Sequence, residues 1–427
     1  MISNWLSARL AARDIHYGWA VVAATFLTTL ASAASISAPG VFIVPLEQEF
    51  HWSNAEISGA LSIRLLLYGL VAPFAAAFIN RYGMRNVVVC ALATIISGLV
   101  LSLFMTEVWQ LILLWGFVVG LGTGMTALVL GATVAARWFT ARRGLVVGLF
   151  AASTATGQLV FLPVMAKLTE LYSWRVATGA LCVLMAVAGL SVLLVVRDRP
   201  SDLALRPFGN DGSAPIEPPA PTNGPITSAA LGALREASTS RTFWVLFFTF
   251  YICGASTNGL IQTHFITLCA DYSIPATGAA TLLAAMGIFD FIGTIMSGWL
   301  SDRYDNRWLL FWYYGLRGFS LLMLPFTDFT FYGLSLFALF YGLDWVATVP
   351  PTVRLSASTF GAERTNLMFG WIFAGHQIGA ASVALGAGLS RTYLSSYLPA
   401  FFTAGLLCLM ASLAVLSIRR DKRSVVA

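Results

Sequence analysis

The sequence has very little charge for its length. Only 10% of its 427 residues are Asp, Glu, Lys or Arg, whereas 58% are hydrophobic, and soluble domains carry roughly 25% charged residues. This composition excludes an ordinary soluble globular protein, because the apolar surface has to be matched by an environment such as a bilayer. The apolar runs are long and continuous, so they predict membrane-spanning helices of roughly 20 residues each and not an alternating β-barrel.

Cysteine is also scarce, and no pattern for chemistry stands out. The five cysteines are odd in number, have no CxxC spacing and lie within or at the edge of apolar runs, which argues against a disulfide framework and against a metal site. The glycine-rich run from Gly120 to Gly124 lies inside an apolar span with no strand before it, so it is not a dinucleotide-binding loop. Without a catalytic triad or metal-ligand spacing, we expect neither an enzyme nor a cofactor.

Apolar runs between clusters of charge predict twelve spans. Of the 25 basic residues, two lie inside these spans, Arg64 and Arg317, and three lie on one side, Lys167, Arg175 and Arg391. All the others fall on the side that carries both termini, so the positive-inside rule predicts a multi-pass protein of the cell membrane with both termini in the cytoplasm. Topology accounts for the net charge of +6, and no nucleic-acid partner is expected. The predicted spans are 17–45, 57–79, 86–106, 108–136, 142–166, 176–196, 243–270, 276–300, 308–327, 330–353, 365–390 and 398–418.

A proline-rich stretch divides the chain into two halves. Residues 215–225 read PIEPPAPTNGP, a composition that cannot build a core and is typical of a flexible linker. The sequence therefore predicts a six-helix bundle over 1–196, a cytoplasmic linker over 197–241 with a short surface helix near its end, and a second six-helix bundle over 242–427.

The loop after the second span is repeated after the eighth. The segments AFINRYGMRNVV (77–88) and WLSDRYDNRWLL (299–310) align at a constant offset of 222 residues. Such a match at the same place in each half predicts two related bundles, an architecture that transporters use. The alternative is that any short loop between two spans collects arginines. The aligned residues are Asn80, Arg81, Tyr82 and Arg85 with Asp302, Arg303, Tyr304 and Arg307.

The repeated loop resembles the signature G-x-x-x-D-R-x-x-x-R of the major facilitator superfamily. This resemblance implies an all-α fold of twelve transmembrane helices in two pseudo-repeated six-helix bundles. In that family the acid of the loop pairs across the halves to stabilise a gate, and the glycine lets two helices approach closely. In the first half Ala76 and Asn80 replace the glycine and the acid, so the charged latch is missing there. The second half has the complete set, Gly298, Asp302, Arg303 and Arg307.

Further stretches resemble one branch of that superfamily, the monocarboxylate transporters and oxalate:formate antiporters. They are Tyr17-Gly18-Trp19 opening the first span, Arg137-Trp138-Phe139, Trp174-Arg175 and Arg241-Thr242-Phe243-Trp244. The resemblance implies a small carboxylate as the substrate.

Five ionisable residues lie deep within spans, where charge is costly and usually faces a cavity or a partner. At a rise of about 1.5 Å per residue, Asp290 and His376 lie about 18 Å from the cytoplasmic charges, Arg317 and Asp344 about 15 Å, and Arg64 about 24 Å. The equal depths of Arg317 and Asp344 predict a structural ion pair, with a proton-coupling role for Asp344 as the alternative.

The resemblance to the monocarboxylate branch makes Asp290 the expected proton carrier. In that branch an acid at this position precedes an arginine by four residues, and the arginine binds the substrate carboxylate. Here the fourth residue is Thr294, and Ser37 stands where some animal members have a lysine in the first span. Antiporters of the branch carry a lysine in the eleventh span, near the depth of His376, which makes His376 a substrate-binding candidate.

Arg64 has no obvious partner in the sequence, and three interpretations stay open. It binds substrate or forms part of an outer gate, it forms a structural pair across the halves, or it snorkels outward. Weaker candidates for substrate contacts are Asn258, Gln262, His264, Tyr68 and Gln377.

We therefore expect a monomeric secondary transporter that moves a small organic solute, a carboxylate, by alternating access with proton symport or anion exchange. Its partners would be the solute, protons and the bilayer. One alternative is efflux of amphipathic compounds, favoured by the missing carboxylate-binding pair and the aromatic content. An alternative from another class is a non-transporting membrane sensor, which a large soluble signalling domain would favour.

Overall fold

The computed structural model describes residues 2–126, 129–210, 226–361 and 365–419, and the regular structure of these ranges is helical. Eleven segments in the searched residues are long and apolar enough to cross a membrane. The helix Arg143–Leu171, which corresponds to the fifth predicted span, adds a further 29 residues. The predicted all-α fold of twelve spans is confirmed, with bounds that differ from the predicted ones by several residues because many helices continue past the apolar run.

Several spans consist of more than one helical segment. In chain order the spans are Gly18–Ser37 with Pro39–Phe50; Asn54–Tyr82; Met84–Ser102; Val108–Leu111 with Ile112–Val119, Gly120–Met125 and Val129–Trp138; Arg143–Leu171; Trp174–Val195; Arg241–Gly254 with Ala255–Gln262 and Thr263–Asp271; Ala276–Arg303; Asn306–Met323; Phe331–Asp344 with Val349–Phe360; Thr365–Leu394; and Leu398–Val415. Two short helices, Ile2–Ala11 and Ile226–Ala237, lie outside the spans on one face. We call this the terminal face and the other the opposite face.

The two halves of the chain meet along the second and eleventh spans. The Ser62 hydroxyl donates to the carbonyl of Ala381 at 2.7 Å, and the N–H of Ala55 donates to the Thr392 hydroxyl at 3.0 Å near the opposite face. Gly69 packs directly against the side chain of Gln377. A methyl group there would overlap Gln377, so the glycine sets the close spacing of these spans.

The halves also meet at the opposite face between the fifth and eighth spans and between the first and seventh. The N–H of Thr277 donates to the carboxylate of Glu170 at 2.7 Å. Gly40 packs against the backbone carbonyl of Gln262. These contacts join the two halves at the opposite face.

The helix Ile226–Ala237 lies across the junction of the halves on the terminal face. It packs against both the second and the eleventh spans. The indole N–H of Trp371 donates to the carbonyl of Ala230 at 2.8 Å, and the Phe74 ring of the second span meets the Trp371 ring edge-on at 6.2 Å. The connection between the halves therefore contacts one helix of each.

The glycine of the repeated loop does not provide the close helix approach that the resemblance implies. A Cβ on Gly298 would meet no heavy atom within 4 Å, whereas a Cβ on Gly293 would overlap the backbone carbonyl of Leu343 in the tenth span. The close approach of the eighth span thus occurs five residues earlier, where Gly293 faces the bundle and is buried.

These two glycines make a matched pair for a stability test. Gly293→Ala is expected to destabilise the purified protein by about 1–3 kcal/mol, because the new methyl group forces the eighth and tenth spans apart. Gly298→Ala in the same helix should raise the thermal midpoint slightly or leave it unchanged, since alanine favours a helix and meets open space. Thermal midpoints in detergent measure both changes, and equal effects of the two variants would contradict this packing.

Candidate functional site

The tenth span is broken between its two helical segments, at residues 345–348. Two prolines at the start of the second segment, Pro350 and Pro351, lack the N–H groups that would serve the carbonyls of Val346 and Ala347. The Val346 carbonyl instead accepts from the N–H of Val349 at 2.9 Å. The Ala347 carbonyl accepts from a side chain of the eighth span, the Ser297 hydroxyl, at 2.5 Å.

Arg317 of the ninth span holds the same break through an ion pair and three further hydrogen bonds. Its Nε lies 2.6 Å from Oδ2 of Asp344, and both side chains are almost fully buried. Its Nη2 donates to the carbonyls of Asp344 at 2.5 Å and Trp345 at 3.1 Å. Its Nη1 donates to the sulfur of Cys253 in the seventh span at 2.9 Å. All three nitrogens of the guanidinium group therefore have partners within the protein, which indicates a structural role for Arg317.

Asp290 of the eighth span is the third side chain at this break. Its Oδ1 accepts hydrogen bonds from the N–H of Val346 at 2.8 Å and from the Thr294 hydroxyl at 3.1 Å. Arg317 and Asp344 lie within electrostatic range of the carboxylate. None of the described ion pairs includes Asp290, so the direct partners of its carboxylate are two neutral donors.

The first span has a milder interruption at Ala38, whose own φ and ψ stay helical. Pro39 has no N–H for the carbonyl of Ser35. Arg64 of the second span supplies the missing donors, with Nη1 at 2.9 Å from the Ser35 carbonyl and Nη2 at 3.0 Å from the Ile36 carbonyl. A cation at the carboxyl end of a helix is also favoured by the helix dipole. Arg64 therefore lies inside the first bundle and holds the kink of its first helix.

A small cavity lies between the two breaks and is lined by residues from both halves. About 20 Å³ of it is open to the centres of water molecules, which is room for about one water. An organic substrate therefore does not fit in this conformation. The lining residues are Ser37, Leu162, Gln262, Leu283, Met286, Gly287, Asp290 and Trp345.

The structure brings some of the sequence-predicted site residues together and separates others. Asp290 and Gln262 share the cavity. The ring of His376 packs between Phe250 at 4.9 Å and Phe373 at 5.7 Å. His376 is buried, and its Nδ1 lies 3.4 Å from the side-chain nitrogen of Gln377.

The remaining candidates lie in helix interfaces. The Tyr68 ring meets the ring of Phe373 across the halves at 5.9 Å. His264 is fully buried and bonds the carbonyl of Ala384 at 2.8 Å. Asn258 lies in the π-helical segment of the seventh span, where its carbonyl accepts from the Thr263 hydroxyl at 2.7 Å.

Sequence reasoning missed Trp345 as a cavity residue and treated Ser37 only as the place of a missing lysine. The prolines near these two residues were the signal that could have placed them at a cavity. Pro39 follows Ser37 closely, and the pair Pro350-Pro351 follows Trp345, and prolines inside a long apolar run indicate broken helices whose freed backbone groups line a cavity.

The charged groups of the repeated loops bond within their own halves in the described residues. Asp302 forms an ion pair with Arg354 of the tenth span, so the pairing across the halves that the resemblance implies is not the one found here. Arg307 pairs with Asp305 at 2.6 Å. The guanidinium groups of Arg81 and Arg303 lie over the rings of Tyr82 and Trp299.

In the first half the acid near the loop comes from elsewhere in the chain. The side chain of Asn80 lies outside the described residues. The N–H of Arg85 donates to Oδ1 of Asp198, after the sixth span, at 2.9 Å. Gly83, with φ of 85°, leaves space for that carboxylate. Asp198 thereby caps the third span, a role that sequence reasoning did not predict.

Twelve spans with broken helices beside an internal cavity between two halves define a membrane carrier. Comparison with known proteins agrees. The family model of the Major Facilitator Superfamily matches residues 25–343 and 265–426, and the chain belongs to that superfamily, whose members are membrane transporters and not enzymes.

Individual relatives extend this assignment. The chain is 27% identical to monocarboxylate transporter 12-B of Danio rerio, over 95% of this chain and 87% of that protein. It is 22% identical to the uncharacterized MFS-type transporter YcxA of Bacillus subtilis, over 89% and 90%. A D-xylose-proton symporter has the same fold, with a TM-score of 0.72 at 13% identity, over 96% and 100% of the two chains. The resemblance to the monocarboxylate transporter branch is thus confirmed.

Proposed function

We propose that this protein carries a small carboxylate across the cell membrane together with a proton, by alternating access. The observation that supports this most directly is Asp290. It is a carboxylate in a small cavity between the halves, held by neutral donors, and none of the cavity's described lining residues is basic. Relatives named as monocarboxylate transporters support the substrate class.

The cavity implies an order of binding. An ionised Asp290 would repel a carboxylate in a site of low dielectric, where two like charges are costly. Once Asp290 takes up a proton, the repulsion ends and the acid becomes a hydrogen-bond donor. The proton therefore binds first, and the substrate follows.

Neutral donors take the place of the missing arginine in this mechanism. The amide of Gln262 and the indole N–H of Trp345 belong to side chains around the cavity, whereas the Ser37 hydroxyl already donates to the carbonyl of Ala33 at 3.0 Å. Several hydrogen bonds can hold a carboxylate where no cation is present. His376, Gln377, Tyr68 and Asn258 are proposed as contacts in states where the cavity is wider, and Arg64 as the group that fixes the first helix beside it.

Alternating access follows from the two halves, which we propose are the bundles 1–196 and 242–427 joined by the linker 197–241. The terminal face is cytoplasmic, as the distribution of basic residues indicates, and the protein acts as a monomer in the inner or plasma membrane. Asn80, Arg81, Arg85, Gly298, Asp302, Arg303 and Arg307 belong to the gate on that face.

A thermal-shift screen of the purified protein against mono- and dicarboxylates at two pH values tests the substrate class. We expect a monocarboxylate to raise the thermal midpoint, and more strongly at the lower pH, because the proton must bind before the anion. The stabilising acid should then be taken up by proteoliposomes when the outside is acidic. Stabilisation by no carboxylate at either pH would contradict the proposal.

Efflux of amphipathic cations is the second candidate. The cavity combines an acid with the aromatic ring of Trp345, which suits a cation. Stabilisation by hydrophobic cations, with greater effect at the higher pH, would favour this function over carboxylate uptake.

A further inference from the structure

A second cavity lies inside the first bundle, next to Arg64. Its lining comes from the first, second, third, fourth and sixth spans and includes Arg64, Trp115, Pro39 and Phe42. About 10 Å³ is open to the centres of water molecules, which is enough for one particle of about the size of a water molecule. The described lining contains no acidic side chain, and the cavity is separate from the one at Asp290.

Arg64 brings a positive charge to this cavity with donors to spare. A guanidinium has five N–H groups, and two carbonyls accept from Arg64. The side chain is 5% exposed, and no carboxylate lies within ion-pair distance of it among the described residues. Two carbonyl dipoles offset part of the charge, and no acidic side chain among the described residues pairs with the guanidinium group.

Trp115 adds an unsatisfied donor of its own. Trp115 is 2% exposed, and its indole N–H has no hydrogen-bond partner in the described residues. A buried donor without an acceptor costs about 1–3 kcal/mol. Two donor-bearing side chains and a net positive charge therefore line one small space that has no acidic side chain among its described lining residues.

From this arrangement we infer that the cavity binds a small inorganic anion of the size of chloride, held by Arg64 and the indole N–H of Trp115. The volume admits one such ion and excludes an organic carboxylate, so this site is not the substrate site. The ion neutralises a charge that is otherwise expensive at membrane depth and stabilises the kink at Pro39.

Halide titration of the purified protein tests the site. The protein is exchanged into sodium methanesulfonate, and chloride replaces methanesulfonate at constant ionic strength. We expect the thermal midpoint to rise by roughly 5 °C and to saturate, because the ion binds the folded state. Bromide should give a similar curve and an anomalous scattering peak between Arg64 and Trp115 in crystals.

Two tryptophan variants separate the site from general effects of salt. Trp115→Phe keeps both bonds of Arg64 to the kink and removes one donor, so the half-saturating chloride concentration should rise about tenfold. Trp109→Phe is the control, since Trp109 lies in the same span and is 61% exposed, and its titration should match the parent protein. Arg64→Gln should abolish saturation.

A midpoint that rises linearly with chloride, equal titrations for the two tryptophan variants, or crystals without a bromide peak would each overturn the anion site. The cavity would then hold a water molecule.

Discussion

Asp290→Asn should remove proton-driven uptake and leave a folded protein. Asn cannot carry a proton, but its Oδ1 still accepts from the Val346 N–H and the Thr294 hydroxyl, the two donors that hold Asp290. The break of the tenth span is thus preserved. We expect accumulation driven by a pH gradient in proteoliposomes to fall to the level of protein-free vesicles, with the thermal midpoint changed by less than about 3 °C.

Thr294→Val is the matched control for this prediction. It removes one of the two hydrogen bonds to Oδ1 without removing the proton-binding group, so gradient-driven accumulation should persist. Asp290→Asn should still bind substrate, because a neutral side chain at this position imitates the protonated acid. Substrate binding to that variant should therefore lose its pH dependence. If Asp290→Asn accumulated substrate in response to the gradient as the parent does, Asp290 would not be the proton carrier.

The second large effect is expected from breaking the ion pair between Arg317 and Asp344. Asp344→Asn is expected to destabilise the protein by about 3–5 kcal/mol, because it leaves the charge of Arg317 buried with no carboxylate to balance it. The expected readouts are a much lower thermal midpoint in detergent and lower yield of folded protein.

Two further comparisons test whether the loss of stability comes from the buried charge. Replacing both partners, as in Arg317→Leu with Asp344→Leu, should recover a large part of the stability, since no unpaired charge remains. Asp302→Asn breaks the pair with Arg354, whose side chain is 53% exposed, and should cost at most about 1 kcal/mol. If Asp344→Asn were as mild as Asp302→Asn, the pair would not hold the break.

The fold followed from composition and periodicity because the bilayer constrains both strongly. A run of apolar residues between basic loops has one structural outcome in a membrane. The depth of a residue follows from its distance along the helix, and Arg317 and Asp344, predicted at equal depth, lie within 2.6 Å of each other.

The contacts of the site were harder to predict, because they depend on the direction of a side chain around its helix and on backbone groups. Arg64 is the clearest example. Its partners are the carbonyls of Ser35 and Ile36, and the first of these lacks its helical donor because Pro39 has no N–H. A search for a charged partner could not find them. The register of helix packing, which gives Gly293 and not Gly298 the close contact, is likewise invisible in one sequence.

The helix Ile226–Ala237 makes the link between the halves more than a flexible tether. Because it packs on both the second and the eleventh spans and accepts a hydrogen bond from Trp371, a movement that separates these two spans on the terminal face has to slide or detach it. Turnover would then include the time this helix needs to leave and return. The speed of transport would then depend on an element remote from the solute, and a protein that bound this helix would slow the carrier without touching its binding site.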